Sequence, residues 1–141
     1  MKTPLLLAAT AAVLAGCTAQ APSPQAAARA DQRFADAVRG RVPGEPQSCI
    51  ATLGLRGPQQ IDPTTMIYRT GANQVWVNRL DPPCPGMDDF DTIPVVRAFS
   101  GSQLCEGDTF TLVDRTVGFV RSGLCRFGKF TPYKKADRKP S

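Results

Sequence analysis

The rhythm of hydrophobic and polar positions changes near residue 47. Before that point, apolar residues first form a run from Leu5 to Leu14, interrupted at Thr10, and then recur as Ala27, Ala30, Phe34 and Val38. Spacings of three and four predict a helix over 25–39. Ser23 supplies an N-cap, Pro24 a first helical residue and Gly40 a C-cap. The stripe is thin, so this helix should rest one face lightly on whatever follows. After residue 47 the runs shorten and are broken by Gly, Pro and Asp. They predict strands at 48–55, 65–69, 74–80, 93–99, 109–114, 117–121 and 124–130. Short strands without helical periodicity between them imply a mainly β fold: a small antiparallel barrel or sandwich with a short N-terminal helix.

The clearest local pattern lies at 66–84. Met66, Ile67 and Tyr68 lead into turn residues 70–73, and the returning run contains the sole tryptophan. Alternation sets Val75, Val77 and Arg79 on one face of this second strand and Trp76, Asn78 and Leu80 on the other. Large apolar groups on both faces predict a central strand. Asn78 and Arg79, polar residues at its end, need partners. Together with Trp76 they are the candidate binding residues, expected to line a groove. Pro82, Pro83 and Pro85 then stiffen the chain around Cys84.

The amino-terminal run changes the picture from fold to compartment. Lys2 precedes an apolar segment too short to span a bilayer, as in a secretory signal. Its end, Leu14-Ala15-Gly16-Cys17, resembles a bacterial lipobox. The resemblance implies cleavage after Gly16 and lipidation of Cys17 through a thioether-linked diacylglycerol and an acylated amine. Two or more acyl chains make an anchor that hardly dissociates. Thr18 stands where an aspartate would mark inner-membrane retention, so the outer membrane is favoured. The expected organisation is signal peptide 1–16, tether and short helix 17–46, β-domain 47–132 and basic tail 133–141, facing the periplasm. Nothing after the signal is long and apolar enough to span a membrane.

With Cys17 carrying lipid, Cys49, Cys84, Cys105 and Cys125 remain. Four cysteines in a small exported domain imply two disulfides. Their positions do not give the close C-x2-4-C pairs of structural zinc, so no metal is expected there. Cys84–Cys105 with Cys49–Cys125 is the favoured connectivity. Cys49–Cys84 with Cys105–Cys125 is the open alternative.

The chain has no histidine, which removes His-based acid–base catalysis and Ser-His-Asp triads. Asp88, Asp89, Asp91 and Asp108 are the clustered carboxylates on which an envelope hydrolase would depend. The acidic loop lacks calcium-loop spacing, and no cofactor is implied. Phe127 and Phe130, interleaved with Arg126 and Lys129, are expected to seal one end of the core rather than to form an aromatic–basic ligand surface. The net charge of +5 is mild. It is concentrated in Lys129, Lys134, Lys135, Arg138 and Lys139, opposed there by Asp137. Export makes nucleic acid an unsuitable partner, and leaves anionic lipid or an envelope polymer as the partner such a tail would suit.

Several residue groups stand in an order that resembles a family of small, functionally uncharacterised proteobacterial exported proteins, many with lipobox signals. They are Cys49-Ile50, Val77-Asn78-Arg79-Leu80, Pro83-Cys84-Pro85-Gly86, Leu104-Cys105-Glu106-Gly107-Asp108 and Cys125-Arg126-Phe127-Gly128-Lys129-Phe130. The resemblance covers about residues 47–132. It implies a disulfide-bonded β-domain on the periplasmic side and carries no activity, so no catalytic residue is assigned. The functional expectation is a lipid-anchored structural or binding module of the cell envelope.

Overall fold

A computed structural model describes residues 21–97 and 101–136. The lipobox with Cys17 and the end of the basic tail, from Asp137 with Arg138 and Lys139, lie outside these residues. Among the described residues no helix is long and apolar enough to cross a membrane.

Helix α1 (Pro24–Val38) begins where its capping chemistry dictates: Ser23 Oγ accepts the Ala26 N–H at 3.2 Å, and Pro24 occupies the first turn. Among the described residues ten strands follow: β1 (Arg41–Pro43), β2 (Cys49–Ala51), β3 (Leu55–Asp62), β4 (Thr65–Thr70), β5 (Gln74–Arg79), β6 (Thr92–Arg97), β7 (Gln103–Cys105), β8 (Thr109–Asp114), β9 (Cys125–Arg126) and β10 (Phe130–Lys135). All their pairings are antiparallel. They form a five-stranded sheet β1-β10-β5-β4-β3, a pair β2-β7 and a three-stranded sheet β6-β8-β9. The arrangement is sandwich-like, with no closed barrel.

The predicted hairpin is the middle of the large sheet. Strand β5 pairs with β4 through Ile67–Val77 and Tyr68–Trp76, and with β10 through Thr131–Val77 and Phe130–Asn78. Its alternation feeds two cores, as expected for a strand covered on both faces. On one side Ile67, Val75 and Val77 pack with Ile61, Ala30 and Ala37, so α1 lies against the sheet there. Phe34 meets Tyr133 edge-on at 6.2 Å. On the other side Met66, Tyr68 and Phe130 join Ile50 and Leu104 of the small pair and Phe110 and Leu112 of the three-stranded sheet. Phe127 sits between Phe110 and Phe130, at 4.7 and 5.9 Å between ring centres. Phe127 and Phe130 are both buried, so they close the core, and the aromatic–basic ligand surface does not exist. Burial pushes the Tyr68 phenol well above its ordinary range, leaving it neutral.

Several expected elements are corrected. The 48–55 run splits at a turn, and β3, hidden behind Gly57-Pro58 in sequence, begins at Leu55. The 117–121 run is not a strand. Asp114 Oδ1 accepts the N–H groups of Thr116 and Val117, Gly118 takes a left-handed φ of 74°, and the chain folds back with one bridge, Val113–Val120. The Asx-turn outweighs the local β-propensity. The 124–130 run breaks after Arg126. The last strand starts at Phe130 and takes Tyr133, Lys134 and Lys135 into the sheet, so that part of the basic tail is β-structure. The stretch after Gly40, expected to belong to the tether and short-helix segment, contributes β1, which pairs with β10.

The disulfide connectivity is also corrected. Cys49 joins Cys105, and Cys84 joins Cys125. Neither the favoured pairing nor the open alternative occurs. Asp108 Oδ2 accepts the Cys105 N–H at 2.8 Å and closes a turn that aligns β7 with β2, where Cys49 and Cys105 are direct cross-strand partners. Cys125 is the cross-strand partner of buried Phe110, so it points inward and meets Cys84 at the rigid proline corner. Loop closure over 56 and 41 residues is worth about 4 kcal/mol for each bridge. Non-reducing peptide mapping is therefore expected to recover the 49–105 and 84–125 pairs. Replacing either pair by alanine should lower unfolding stability by up to about 4 kcal/mol. Loss of Cys84–Cys125, whose sulfurs are buried in the main core, should be the more costly of the two in denaturant titration.

Candidate functional site

The three candidate binding residues do not converge. Trp76 and Asn78 lie on the main-core face of β5 and Arg79 on the helix face, as their alternation requires. Each is occupied within the fold. The Trp76 indole N–H donates to Thr70 Oγ1 at 3.2 Å. Arg79 stacks over the Phe34 ring at 4.7 Å and donates to Thr65 Oγ1 at 2.5 Å, tying α1 to the sheet. Such a contact uses the cation for packing rather than for a ligand.

Asn78 is fully buried. Its Nδ2 donates to the Gly128 carbonyl at 2.7 Å and to the Lys129 carbonyl at 3.3 Å. Its Oδ1 accepts the Gly128 N–H at 3.2 Å. The amide thus acts as a clip for the irregular backbone between β9 and β10, whose polar groups would otherwise be buried without partners. A Cβ on Gly128 would stand 2.1 Å from the Arg79 carbonyl oxygen. Only glycine permits that approach.

The four aspartates are not one site. Asp108 is buried in the β7–β8 turn, where its backbone N–H and carboxylate both engage Cys105. Asp89 and Asp91 form a turn before β6, with Asp89 Oδ1 accepting the Asp91 N–H at 3.0 Å. Asp89 Oδ2 also lies 3.6 Å from Arg121. Among the described residues no group of three or more His, Cys, Asp or Glu side chains is placed to hold a metal ion. Asp114, which was not a sequence candidate, is a carboxylate whose ionisation is altered. Hydrogen bonds from the Thr116 and Val117 N–H groups, helped by Arg121 at 3.3 Å, hold it below the usual carboxylate range.

Among the described residues, one concavity is an open groove of about 1220 Å³ beside the first turns of α1. Ala26, Ala27 and Ala30 form one wall, with Pro63, Pro83 and Pro85 opposite. Its polar margin is largely engaged. Arg33 donates to the Ile61 carbonyl, and Asp62 accepts from the Thr64 N–H at 2.7 Å and hydroxyl at 2.6 Å. Sequence patterning does not reveal this groove, because its walls come from three segments far apart in the chain. Small and proline side chains offer it shape and apolar surface but few free polar groups to orient a ligand.

The Asn78 clip predicts loss of stability rather than loss of a ligand. Asn78→Ala should cost about 1–3 kcal/mol, since it strands buried backbone groups. Gly128→Ala should cost a similar amount through overpacking, both read from urea midpoints. Unchanged stability for Asn78→Ala would return this residue to the list of binding candidates. For Asp114 the sign is that of a depressed carboxylate. Its ionised form stabilises the fold above the unfolded pKa, and that contribution is lost as pH falls through the folded value. Asp114→Ala should therefore melt below the parent at neutral pH, and the difference should shrink below about pH 4.

No characterised protein sequence and no solved structure matches this chain. A family match does exist, and it extends beyond the 47–132 segment that carried the sequence resemblance, taking in the helix and the basic end. The matched description is "Family of unknown function (DUF6491)", over residues 1–140, and the chain belongs to that family.

Proposed function

We propose that this protein is a lipid-anchored module of the cell envelope, periplasm-facing and held in the outer membrane through Cys17, with a structural or accessory binding role. The observation that carries the reading is the division of labour among the five cysteines. Four are consumed in two disulfides, the mark of an oxidising compartment. The fifth directly follows the apolar leader in a lipobox-like Leu-Ala-Gly-Cys. The buried polar side chains described above are committed to turns, clips and interlayer contacts. That suits a rigid scaffold better than a catalyst. The alternative of an aspartate-based hydrolase would have to work with Asp108 committed to Cys105 and Asp89 engaged by Arg121.

Metabolic labelling with a palmitate analogue tests the reading. The parent chain is expected to take the label and to sediment with outer-membrane fractions, while Cys17→Ser takes none and is released to the soluble periplasm. Unlabelled parent protein, or equal labelling of the Cys17→Ser variant, would overturn it.

A further inference from the structure

The outward face of the three-stranded sheet is a surface for which the fold provides no cover. Antiparallel register sets Ile93 beside Val113 and Val113 beside Val120, one apolar row across the face. Val95 belongs to the next row. Leu124, two residues before outward-facing Arg126, extends it by alternation. Phe119 borders the first row, 72% exposed. The third row is Arg97, Thr109 and Arg126. Apolar side chains of this size, contiguous and open to water, mark an interaction surface.

We infer that this face is the membrane-docking surface of the domain, taking an anionic phospholipid bilayer with its apolar rows at the acyl boundary and Arg97 and Arg126 at the headgroup phosphates. Two observations select lipid over a second copy of the chain. The first is charge. The three rows contain no carboxylate, so a second copy stacked on this face would meet two guanidinium groups with no acid to pair them. Of the acids at the nearby edge, Asp89 and Asp114 are engaged with Arg121, and Asp91 lies beyond the first row, at the end of the face opposite Arg97 and Arg126. Phosphates satisfy the arginines, and lipid tails satisfy the valines and Leu124.

The second is reach. The described chain begins at Ala21, which lines the groove together with Pro85 and Asp88. Adjacent Asp89 carries the ion pair to Arg121, directly after Val120. The chain therefore departs at a groove that the acidic loop also borders, and that loop reaches the apolar rows through the Asp89–Arg121 pair. From Cys17 to Ala21 the backbone spans at most about 14 Å. This part of the inference rests on Cys17 as the anchor: a lipid there holds this edge of the domain near the headgroups.

The test uses the full mature chain carrying Cys17→Ser, exported so that both disulfides form, and co-sedimented with vesicles. It is expected to bind phosphatidylethanolamine vesicles containing about 30% phosphatidylglycerol, and to leave phosphatidylcholine vesicles in the pellet without it. Val120→Asp with Leu124→Asp should weaken binding by roughly tenfold or more. Arg97→Gln with Arg126→Gln should lose the salt-sensitive part of the binding. All of these positions are solvent-exposed, and near-UV circular dichroism identifies any variant that is not native. No sedimentation with anionic vesicles, binding indifferent to both double substitutions, or a solution dimer abolished by Val120→Asp would overturn the inference. Because the protein tested carries no lipid, vesicle binding with failed palmitate labelling would remove the anchor and keep the face. Labelling without vesicle binding would do the reverse.

Discussion

The fold depends on bringing the backbone at Gly128 against the end of β5. There the chain leaves β9, must enter the central sheet as β10, and must deliver both Phe127 and Phe130 to the same core. Two residues of like facing, three apart, cannot belong to one regular strand, so the backbone between them is irregular. Its donors and acceptors then need partners other than a ladder. Asn78 supplies them from the middle strand, and the missing side chain at Gly128 lets the segment approach the Arg79 carbonyl. Once this join is made, β5 has neighbours on both sides, Phe127 bridges Phe110 and Phe130, and the two smaller sheets have a floor to pack on.

Much of this was legible in the sequence, and the boundary has physical causes. Strong alternation with turn residues at 70–73 identified β4 and β5 and assigned the faces of Trp76 and Arg79, because those signals are local and agree with burial. Ser23-Pro24 located the start of α1 for the same reason. The 117–121 run misled because its first residues are held in a turn governed by the preceding Asp114, a competition that propensity alone does not weigh. Strand β10 was hidden because Pro132 and two lysines dilute its pattern, and its strength comes from neighbours distant in sequence. The cysteine framework was readable as two bridges. Its connectivity was not, because it follows from β7 lying against β2, and a three-residue strand leaves almost no mark in the sequence.

The candidate site followed a similar course. Polar residues at the end of a strong strand were sound signals of importance, but the chemistry of Asn78 and Arg79 is directed inward. A buried amide with three good hydrogen bonds and a guanidinium over an aromatic ring shape the protein rather than recognise something outside it. The surfaces left for recognition are those that sequence patterning treats as ordinary strand and loop. One is the groove beside α1, and the other is the uncovered side of the three-stranded sheet. A scaffold whose interior is closed by two bridges and a shared polar clip can present such surfaces with little rearrangement on binding.

The place of β10 has a consequence for how the chain assembles. It is the last strand among the described residues, yet it sits between β1 and the middle strand β5. The large sheet is therefore incomplete, and β1 has no partner in it, until the carboxyl-terminal strand has emerged. Contacts that join the two ends of a chain are slow to form, because the closure entropy of the whole loop is paid first. A polypeptide arranged in this way keeps its large sheet unfinished for as long as the β10 segment has not yet been made.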